Sequence, residues 1–407
     1  MRVYLGIDWS QSKHDLCLLN EAGAVLAELT IPHQPDGFAQ LDSLRRTAGV
    51  LPSDCWVGLE TAHNLVIDWL WAHDYSQVFV IPPNAVKSAR QRYRQTNAHT
   101  DRSDAYVIAD MLRTDQARLQ PWHPDQEVTQ QLRAKVSLVL HLTQTLRRLD
   151  NRLQAVLARY YPAAGHVFHD TLTLVGLRFL QAFPTPQAAA ALSREAFSDF
   201  VRAQHYTRSE SLLLAAYARL RQPYPEAAPA MVAAYQDEAV LLAELLERLL
   251  NHKTAQLQAL QSLFHQHPDQ AVFASLPGVG DFLAPALLAK FGDDRQRFPE
   301  AASVQCLAGT CPVTEASGKR KVIRFRRACD HEFRLIAQQW ALQSLKQSVW
   351  AAAYVKQVRA RGASRSHAYR CLANRWLAIA WKCWQMRQPY DEAYHLQQRA
   401  RRSQPRS

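Results

Sequence analysis

The N-terminal run Val3-Tyr4-Leu5-Gly6-Ile7-Asp8-Trp9-Ser10 constrains the fold more than any other stretch of this 407-residue chain. Its branched and aromatic residues favour a buried strand, and the hydroxyl and amide residues after Asp8 favour a turn. A carboxylate at the end of a buried strand lies at the edge of a sheet, where a ligand or metal ion can reach it. A single acid there is more often a cap or a solvated residue. A binding role for Asp8 therefore requires other acids close to it.

The residues after Asp8 predict an alternating order of strands and helices. The predicted elements are, in order, strands at 13–19 and 24–31, a helix at 38–46, a strand at 55–59, a helix at 64–72 and a strand at 78–81. Hairpin chemistry joins the first three strands into an antiparallel meander, and an αβαβ succession follows. This order is the one expected of a ribonuclease-H-like α/β domain.

Three further acids are candidates to join Asp8 at the sheet edge. Glu60 directly follows the predicted strand at 55–59, and Asp101 and Asp104 lie three residues apart on one face of a predicted helix. Taken singly, Glu60 reads as a strand-end residue and the two aspartates as charges that suit a helix N-terminus. Taken together, four carboxylates would repel one another unless cations lay between them. Hard oxygen ligands suit Mg²⁺ or Mn²⁺, and two such ions can clamp a phosphoryl displacement, so we favour a metal site.

The middle of the chain carries two apolar stripes with alternating spacings of three and four residues, which is the pattern of a coiled-coil seam. The first stripe runs from Val139 to Tyr160 and the second from Val232 to Phe264. Such stripes indicate helix–helix packing, and the sequence leaves open whether they pair within one chain or between chains. Residues 162–229, which are interrupted by proline pairs, predict a small helical insert between them.

The charge balance favours a polyanionic partner. The chain has 48 Lys+Arg against 36 Asp+Glu, a formal net charge of +12, which favours nucleic acid over a membrane surface. No apolar run approaches the roughly 20 residues that span a bilayer, and we expect a cytoplasmic protein.

Three segments are candidates for nucleic-acid contact. Leu276-Pro277-Gly278-Val279-Gly280 before a helix has the form of a helix-hairpin-helix, whose glycines let backbone amides meet a phosphate, although a simple helical turn explains it nearly as well. The other two are basic segments, one on a helix after Pro83 and one interleaved with apolar residues. The candidate residues are Lys87, Arg90, Arg92, Arg94, Gly278, Gly280, Lys319, Arg320, Lys321, Arg324, Arg326 and Arg327.

The seven cysteines are scattered, which argues against a disulfide framework. Cys306, Cys311, Cys329 and His331 are close enough in sequence to raise the question of a zinc site, but they lack a CxxC pair. We therefore interpret them as buried structural thiols.

Several motifs, in order and spacing, resemble the insertion-sequence one-ten family of DEDD transposases, whose better-studied members are called bridge-RNA-guided recombinases. The resemblance covers both ends of the chain and leaves mainly the helical middle unmatched. The motifs that carry it are Gly6-Ile7-Asp8, Gly58-Leu59-Glu60-Thr61, Thr100-Asp101-Arg102-Ser103-Asp104-Ala105, Leu276-Pro277-Gly278-Val279-Gly280, and Ala308-Gly309 through Ser317-Gly318.

The resemblance implies a division of the chain into domains. It implies a RuvC-like DEDD domain at 1–120, coiled-coil helices at 121–270 with the insert at about 162–229, and a mainly α transposase domain at 271–395 that contains the helix-hairpin-helix. A basic tail follows at 396–407, which we expect to lack regular structure.

The resemblance also implies residue roles and partners. It implies that Asp8, Glu60, Asp101 and Asp104 bind Mg²⁺ and that Ser317 is the nucleophile, which attacks a DNA phosphate to form a phosphoserine link. It further implies donor and target DNA as substrates, a noncoding guide RNA, dimers that pair into a tetramer, and an association with the nucleoid.

From the residues alone, Ser317 stands little above Ser303, Tyr354 or Tyr369, because Ser-Gly before a basic run is an ordinary turn. Two other functions also remain open at this stage. One is a metal-dependent Holliday-junction resolvase-like nuclease in which water attacks, and the other is a non-catalytic nucleic-acid-binding protein on the same fold.

Overall fold

The computed structural model describes residues 2–61, 65–90, 101–318 and 320–403, and for residues 101, 102, 399, 400, 402 and 403 it describes the backbone alone. The chain divides into two compact units, Met1–Pro124 and Asp125–Ser407. None of the helices in the described ranges combines the length and the apolar character that crossing a bilayer requires.

The first unit is built on a mixed five-stranded sheet, which confirms the predicted α/β class. In the strand order β3-β2-β1-β4-β5, the first three strands along the chain are antiparallel and β1, β4 and β5 are parallel. The elements are β1 (Val3–Trp9), β2 (Lys13–Leu19), β3 (Val25–Pro32), α1 (Pro35–Thr47), β4 (Cys55–Leu59), α2 (Leu65–Ala72), β5 (Val78–Val80), α3 (Pro83–Arg90) and α4 (Asp101–Thr114). This topology is consistent with a ribonuclease-H-like domain.

Helices cover both faces of this sheet, because successive side chains of a strand point to opposite sides. Val3, Leu5 and Ile7 of β1 pack into one core with α1 and α2. Tyr4 belongs to the second core, which contains residues of α3 and α4. Even-numbered positions of β1 therefore face α4, and this parity decides which side of the sheet Asp8 lies on.

The second unit is mostly helical. Its two longest helices, α5 (Glu127–Tyr160) and α11 (Pro229–Gln266), enclose five short ones, and two strands follow later. The other elements are α6 (Pro162–Val167), α7 (Leu174–Ala182), α8 (Pro186–Ala190), α9 (Arg194–Ala203), α10 (Glu210–Leu220), α12 (Gln270–Ala274), α13 (Gly280–Phe291), α14 (Ala301–Leu307), β6 (Val313–Ser317), β7 (Arg320–Arg324), α15 (His331–Ser344), α16 (Val349–Ala360), α17 (Arg365–Met386) and α18 (Glu392–Ser403).

Helices α5 and α11 pack antiparallel within one chain. Lys135 donates to Gln256 at 2.9 Å, and Arg152 pairs with Glu238 at 2.6 Å. Residues later in α5 thus contact residues earlier in α11, as in an antiparallel pair. The residues of the two apolar stripes lie mainly on the buried faces of these helices. The pairing that the sequence left open is thus intramolecular here, while coiled-coil geometry itself stays a prediction.

Two cores lie along this helix pair. The five short helices α6–α10 close one core, in which Phe179 and Phe197 are fully buried. The C-terminal helices close the other around Trp340 and Trp376. The indole N–H of Trp376 donates to the buried hydroxyl of Ser344 at 2.9 Å, so this polar pair is satisfied inside the core.

The C-terminal region differs from the prediction in three places. Strands β6 and β7 form an antiparallel hairpin in a segment expected to be mainly α. The tail expected to lack regular structure from residue 396 instead continues α18 as far as Ser403. Cys306, Cys311 and Cys329 are half-buried rather than buried, and partial burial raises the pKa of Cys306 and Cys329.

The two candidate glycines before α13 occupy different environments, although both have positive φ angles of 77° and 52°. A Cβ on Gly278 would lie 2.5 Å from the backbone nitrogen of Ser344, and the Gly278 amide donates to Gln347 Oε1 at 2.7 Å. A Cβ on Gly280 would meet nothing within 4 Å. The backbone approach therefore depends on Gly278, and a nucleic-acid contact by either glycine stays a prediction.

We expect Gly278→Ala to destabilise the protein more than Gly280→Ala. Both variants carry the strain of a left-handed alanine, about 1–2 kcal/mol, and only Gly278→Ala adds a backbone clash of about 1–3 kcal/mol. Urea unfolding of the two full-length variants measures the difference. Equal losses would contradict the close contact with the end of α15.

Candidate active site

The first two acids meet at the carboxyl edge of the sheet. Strands β1 and β4 are parallel neighbours, and the last register pair between them is Ile7 with Leu59. The next residues along the two strands are Asp8 and Glu60, so their backbones lie side by side at this edge. Because Asp8 follows Gly6 by two positions and Glu60 follows Gly58 by two, both acids point to the face that α4 covers.

A register-matched pair of glycines lets α4 lie directly on the sheet. Gly6 pairs with Gly58 across β1 and β4. A Cβ on Gly6 would lie 1.9 Å from the carbonyl oxygen of Ala105, and one on Gly58 would lie 2.7 Å from Ile108 Cγ2. The helix backbone thus occupies the space that a side chain would need at Gly6.

This contact sets the position of the third acid. Asp104 immediately precedes Ala105 and lies in the first turn of α4. The helix therefore presents its N-terminal turn near the edge that carries Asp8 and Glu60. Burial raises the pKa of the Glu60 carboxyl above its usual range, Arg90 opposes that rise and Asp104 adds to it, so these three side chains lie within electrostatic reach of one another.

Arg90 forms an ion pair with Asp104. Its Nη2 donates to Asp104 Oδ2, and the two side chains are only 22% and 14% exposed. The sequence assigned Arg90 to nucleic-acid contact, and a role in binding DNA stays a prediction. Lys87, one turn earlier on α3, is exposed.

Sequence reasoning missed a further acid at this edge. Asp15 on β2 is the register partner of Asp8, so the two side chains emerge on the same face. Asp15 is 4% exposed, accepts a hydrogen bond of 2.5 Å from Thr30 Oγ1, and lies 3.8 Å from Lys13 Nζ. The register of the β1–β2 hairpin, which a sequence pattern alone does not fix, is the signal that identifies it.

Part of the predicted site lies outside the description. Arg92, Arg94 and Lys319 are not among the described residues, and neither is the Asp101 side chain. Within the described ranges, no three His, Cys, Asp or Glu side chains stand in a metal-binding arrangement. The structure thus brings Glu60 and Asp104 together and aligns Asp8 beside Glu60, and the completed four-acid cluster stays a prediction.

Ser317 is the last residue of β6, at the tip of the β6–β7 hairpin. It is exposed, pairs in register with Arg320, and precedes Gly318, whose φ of 56° suits a tight turn. Most of the predicted basic residues after it are exposed, and Arg324 pairs with Glu315 at 2.9 Å. Arg326 is half-buried and donates to the Cys311 carbonyl at 3.2 Å, so it supports the base of the hairpin.

Comparison with known proteins matches parts of both units to transposase families. Residues 5–162 match the family model for DEDD transposases of the IS110 type, and residues 270–356 match the model described as "Transposase IS116/IS110/IS902 family". The "Mini-circle putative transposase for IS117" of Streptomyces coelicolor is 29% identical over 398 residues, which cover 96% of each chain. The "Insertion element IS110 uncharacterized 43.6 kDa protein" of the same species is 25% identical over 332 residues, 78% of this chain and 77% of the relative.

We expect Gly6→Ala to destabilise the first unit by about 3 kcal/mol, because its methyl group would displace a helix backbone. Gly58→Ala is the matched comparison, since its methyl group would meet side-chain atoms of Ile108 and Leu112 rather than a helix backbone, and we expect a smaller loss of about 1–2 kcal/mol. Urea unfolding measures both. A Gly6→Ala variant as stable as the natural protein would contradict the close approach of α4.

We expect Glu60→Gln to stabilise the metal-free protein at pH 7. The folded-state pKa of Glu60 lies above its unfolded value, so this group makes the protein less stable as pH rises through that range, and glutamine removes the effect. The gain should vanish near pH 3, where the carboxyl is protonated in both states. Urea unfolding in EDTA at the two pH values measures this, with exposed Glu244→Gln as the control; a loss of stability at pH 7 would contradict the pKa shift.

Proposed function

Because the chain belongs to the IS110 family of DEDD transposases and is a DNA-acting enzyme, we propose that it cleaves and exchanges DNA strands through a phosphoserine intermediate. The observation that carries the proposal is the placement of α4 on the Gly6–Gly58 pair, which directs Asp104 toward Glu60 and Asp8.

We propose that Asp8, Glu60, Asp101 and Asp104 hold Mg²⁺ or Mn²⁺. The donors are all carboxylate oxygens, which suits these ions, and the structure already pairs Asp104 with a cationic side chain. Burial and the nearby Asp104 raise the pKa of Glu60, so a bound cation would favour the ionised form of this carboxyl. When bound, the metal would supply charge that stabilises the phosphate and the departing oxygen.

In the proposed reaction Ser317 attacks the scissile phosphorus of DNA. The Ser317 hydroxyl gives up its proton and its Oγ–P bond forms while the P–O3′ bond breaks, and the 3′-oxygen takes up a proton. The reverse attack by the 3′-hydroxyl of another strand restores the serine and joins the strands. Phosphodiester energy is conserved in the serine link, so the exchange needs no nucleotide triphosphate.

The exposure of Ser317 supports its choice over the other candidates. The Tyr354 ring is half-buried and lies 5.3 Å beneath the Arg375 guanidinium, so a packing contact already accounts for it. Two exposed cations, Arg320 and Lys321, begin β7 beside Ser317 and could hold a phosphate by charge-assisted hydrogen bonds. Arg324 and Arg327 are also exposed but lie toward the base of the hairpin.

We extend the proposal to the assembly that the family resemblance implies. A noncoding guide RNA would select donor and target DNA, and dimers would pair into a tetramer on the nucleoid. The α5–α11 pair would serve as the coiled coil, and the segment before α13 as the helix-hairpin-helix. Exposed Lys87 on α3 and the exposed cations of the β6–β7 hairpin support contact with nucleic-acid backbones.

We expect Ser317→Ala to abolish a covalent protein–DNA adduct while leaving DNA binding within about twofold, because the substitution removes only the nucleophilic oxygen from an exposed position. The measurement is denaturing electrophoresis of labelled DNA incubated with full-length protein, guide RNA and Mg²⁺. Ser303→Ala is the matched control and should form the adduct normally.

Other outcomes separate the rival functions. An adduct in the Ser317→Ala variant would show that the nucleophile is wrong. Strand cleavage without any adduct in the natural protein would favour the nuclease in which water attacks. Binding without cleavage, with or without Mg²⁺, would favour a non-catalytic protein.

A further inference from the structure

Arg90 is the last residue of α3, and its guanidinium is directed onto an acid of the candidate active site. It pairs with Asp104, which lies 14 residues later on α4. Both side chains are mostly buried, with exposures of 22% and 14%. Such a shielded pair is screened less by salt than a surface pair, so the charge of Arg90 acts strongly on its surroundings.

The other contacts of Arg90 do not suggest a network built for stability alone. A guanidinium has five N–H donors, and a buried structural arginine usually satisfies them. The Arg90 Nε is buried and has no hydrogen-bond partner among the described residues. Among the described residues, the contact with Asp104 is therefore the main polar interaction of this side chain.

A second acid lies within the field of the same guanidinium. Glu60 is half-buried, and Arg90 acts on it with a sign opposite to that of Asp104. One monovalent cation thus opposes the repulsion between two carboxylates at the edge where the proposed metal would bind. A divalent ion at these carboxylates would repel Arg90, because two cations would then share one acid.

We propose that Arg90 is a positioning residue that acts as a built-in counter-cation: it holds Asp104 in the metal-free protein and competes with the divalent ion for that carboxylate. This inference rests on the metal site of the proposed function. It predicts two effects of opposite direction, since removing Arg90 weakens the metal-free fold and strengthens metal binding.

The test compares Arg90→Met with Lys87→Met, which removes one charge from an exposed position on the same helix. Full-length protein is titrated with Mn²⁺ alone by calorimetry, and thermal unfolding is followed in EDTA. We expect the Mn²⁺ dissociation constant of Arg90→Met to fall at least fivefold and its metal-free unfolding temperature to drop by several degrees. Lys87→Met should stay within twofold and within about one degree of the natural protein. A dissociation constant in Arg90→Met that is unchanged or higher would overturn the proposal.

A double variant separates the electrostatic role from simple packing. Arg90→Met/Asp104→Asn removes both charges, and we expect it to recover most of the unfolding temperature that Arg90→Met loses. If the double variant is as unstable as Arg90→Met, or if both variants are unfolded, Arg90 acts by packing and the proposal is wrong.

The titration also distinguishes this inference from the proposed function. If the natural protein binds Mn²⁺ and Arg90→Met binds it no more tightly, only the counter-cation role fails. If neither protein binds Mn²⁺, the metal site itself is wrong and this inference fails with it.

Discussion

The contact between α4 and the sheet is the constraint on which the candidate site depends. The backbone of α4 lies against Gly6 and its Ile108 side chain lies against Gly58, and both contacts require that the two neighbouring strands lack side chains at this register level. The strand period of two then places Asp8 and Glu60 on the face beneath the helix. Backbone geometry therefore brings the acids close together, independently of any interaction between their side chains.

Bringing carboxylates together in a partly buried place costs free energy, and the structure offsets this cost differently at each acid. Asp15 receives a hydrogen bond from Thr30 and the charge of Lys13, and Asp104 is paired with Arg90. Glu60 responds instead by a raised pKa. The edge therefore favours the binding of positive charge, which is the physical basis for the divalent ion that we propose there.

Features that follow from local sequence pattern were predicted correctly. Features that depend on strand register or on the partner of a side chain were not predicted. Runs of branched and aromatic residues predicted the strands of the first unit, and the order of strands and helices predicted its α/β class. Asp15 was missed because its relation to Asp8 comes from hairpin register, and Arg90 was assigned to nucleic acid because a basic residue does not reveal which acid it will meet. The β6–β7 hairpin escaped prediction because nearly all of its residues are exposed, so no apolar alternation marks it.

The same exposure raises the question of what holds that hairpin in shape, since a two-stranded ribbon with no core face is only marginally stable in water. Its base supplies an answer. The Phe325 ring, just after β7, lies between two guanidinium groups, with Arg334 at 4.5 Å and Arg370 at 4.7 Å from its centroid. These cation–π contacts and the Arg326 hydrogen bond fix the base to helices α15 and α17, while Ser317 and Gly318 stay in solvent at the tip. If Ser317 is the nucleophile that we propose, it can reach a phosphate without disturbing the core, because the ordering contacts and the serine lie at opposite ends of the ribbon.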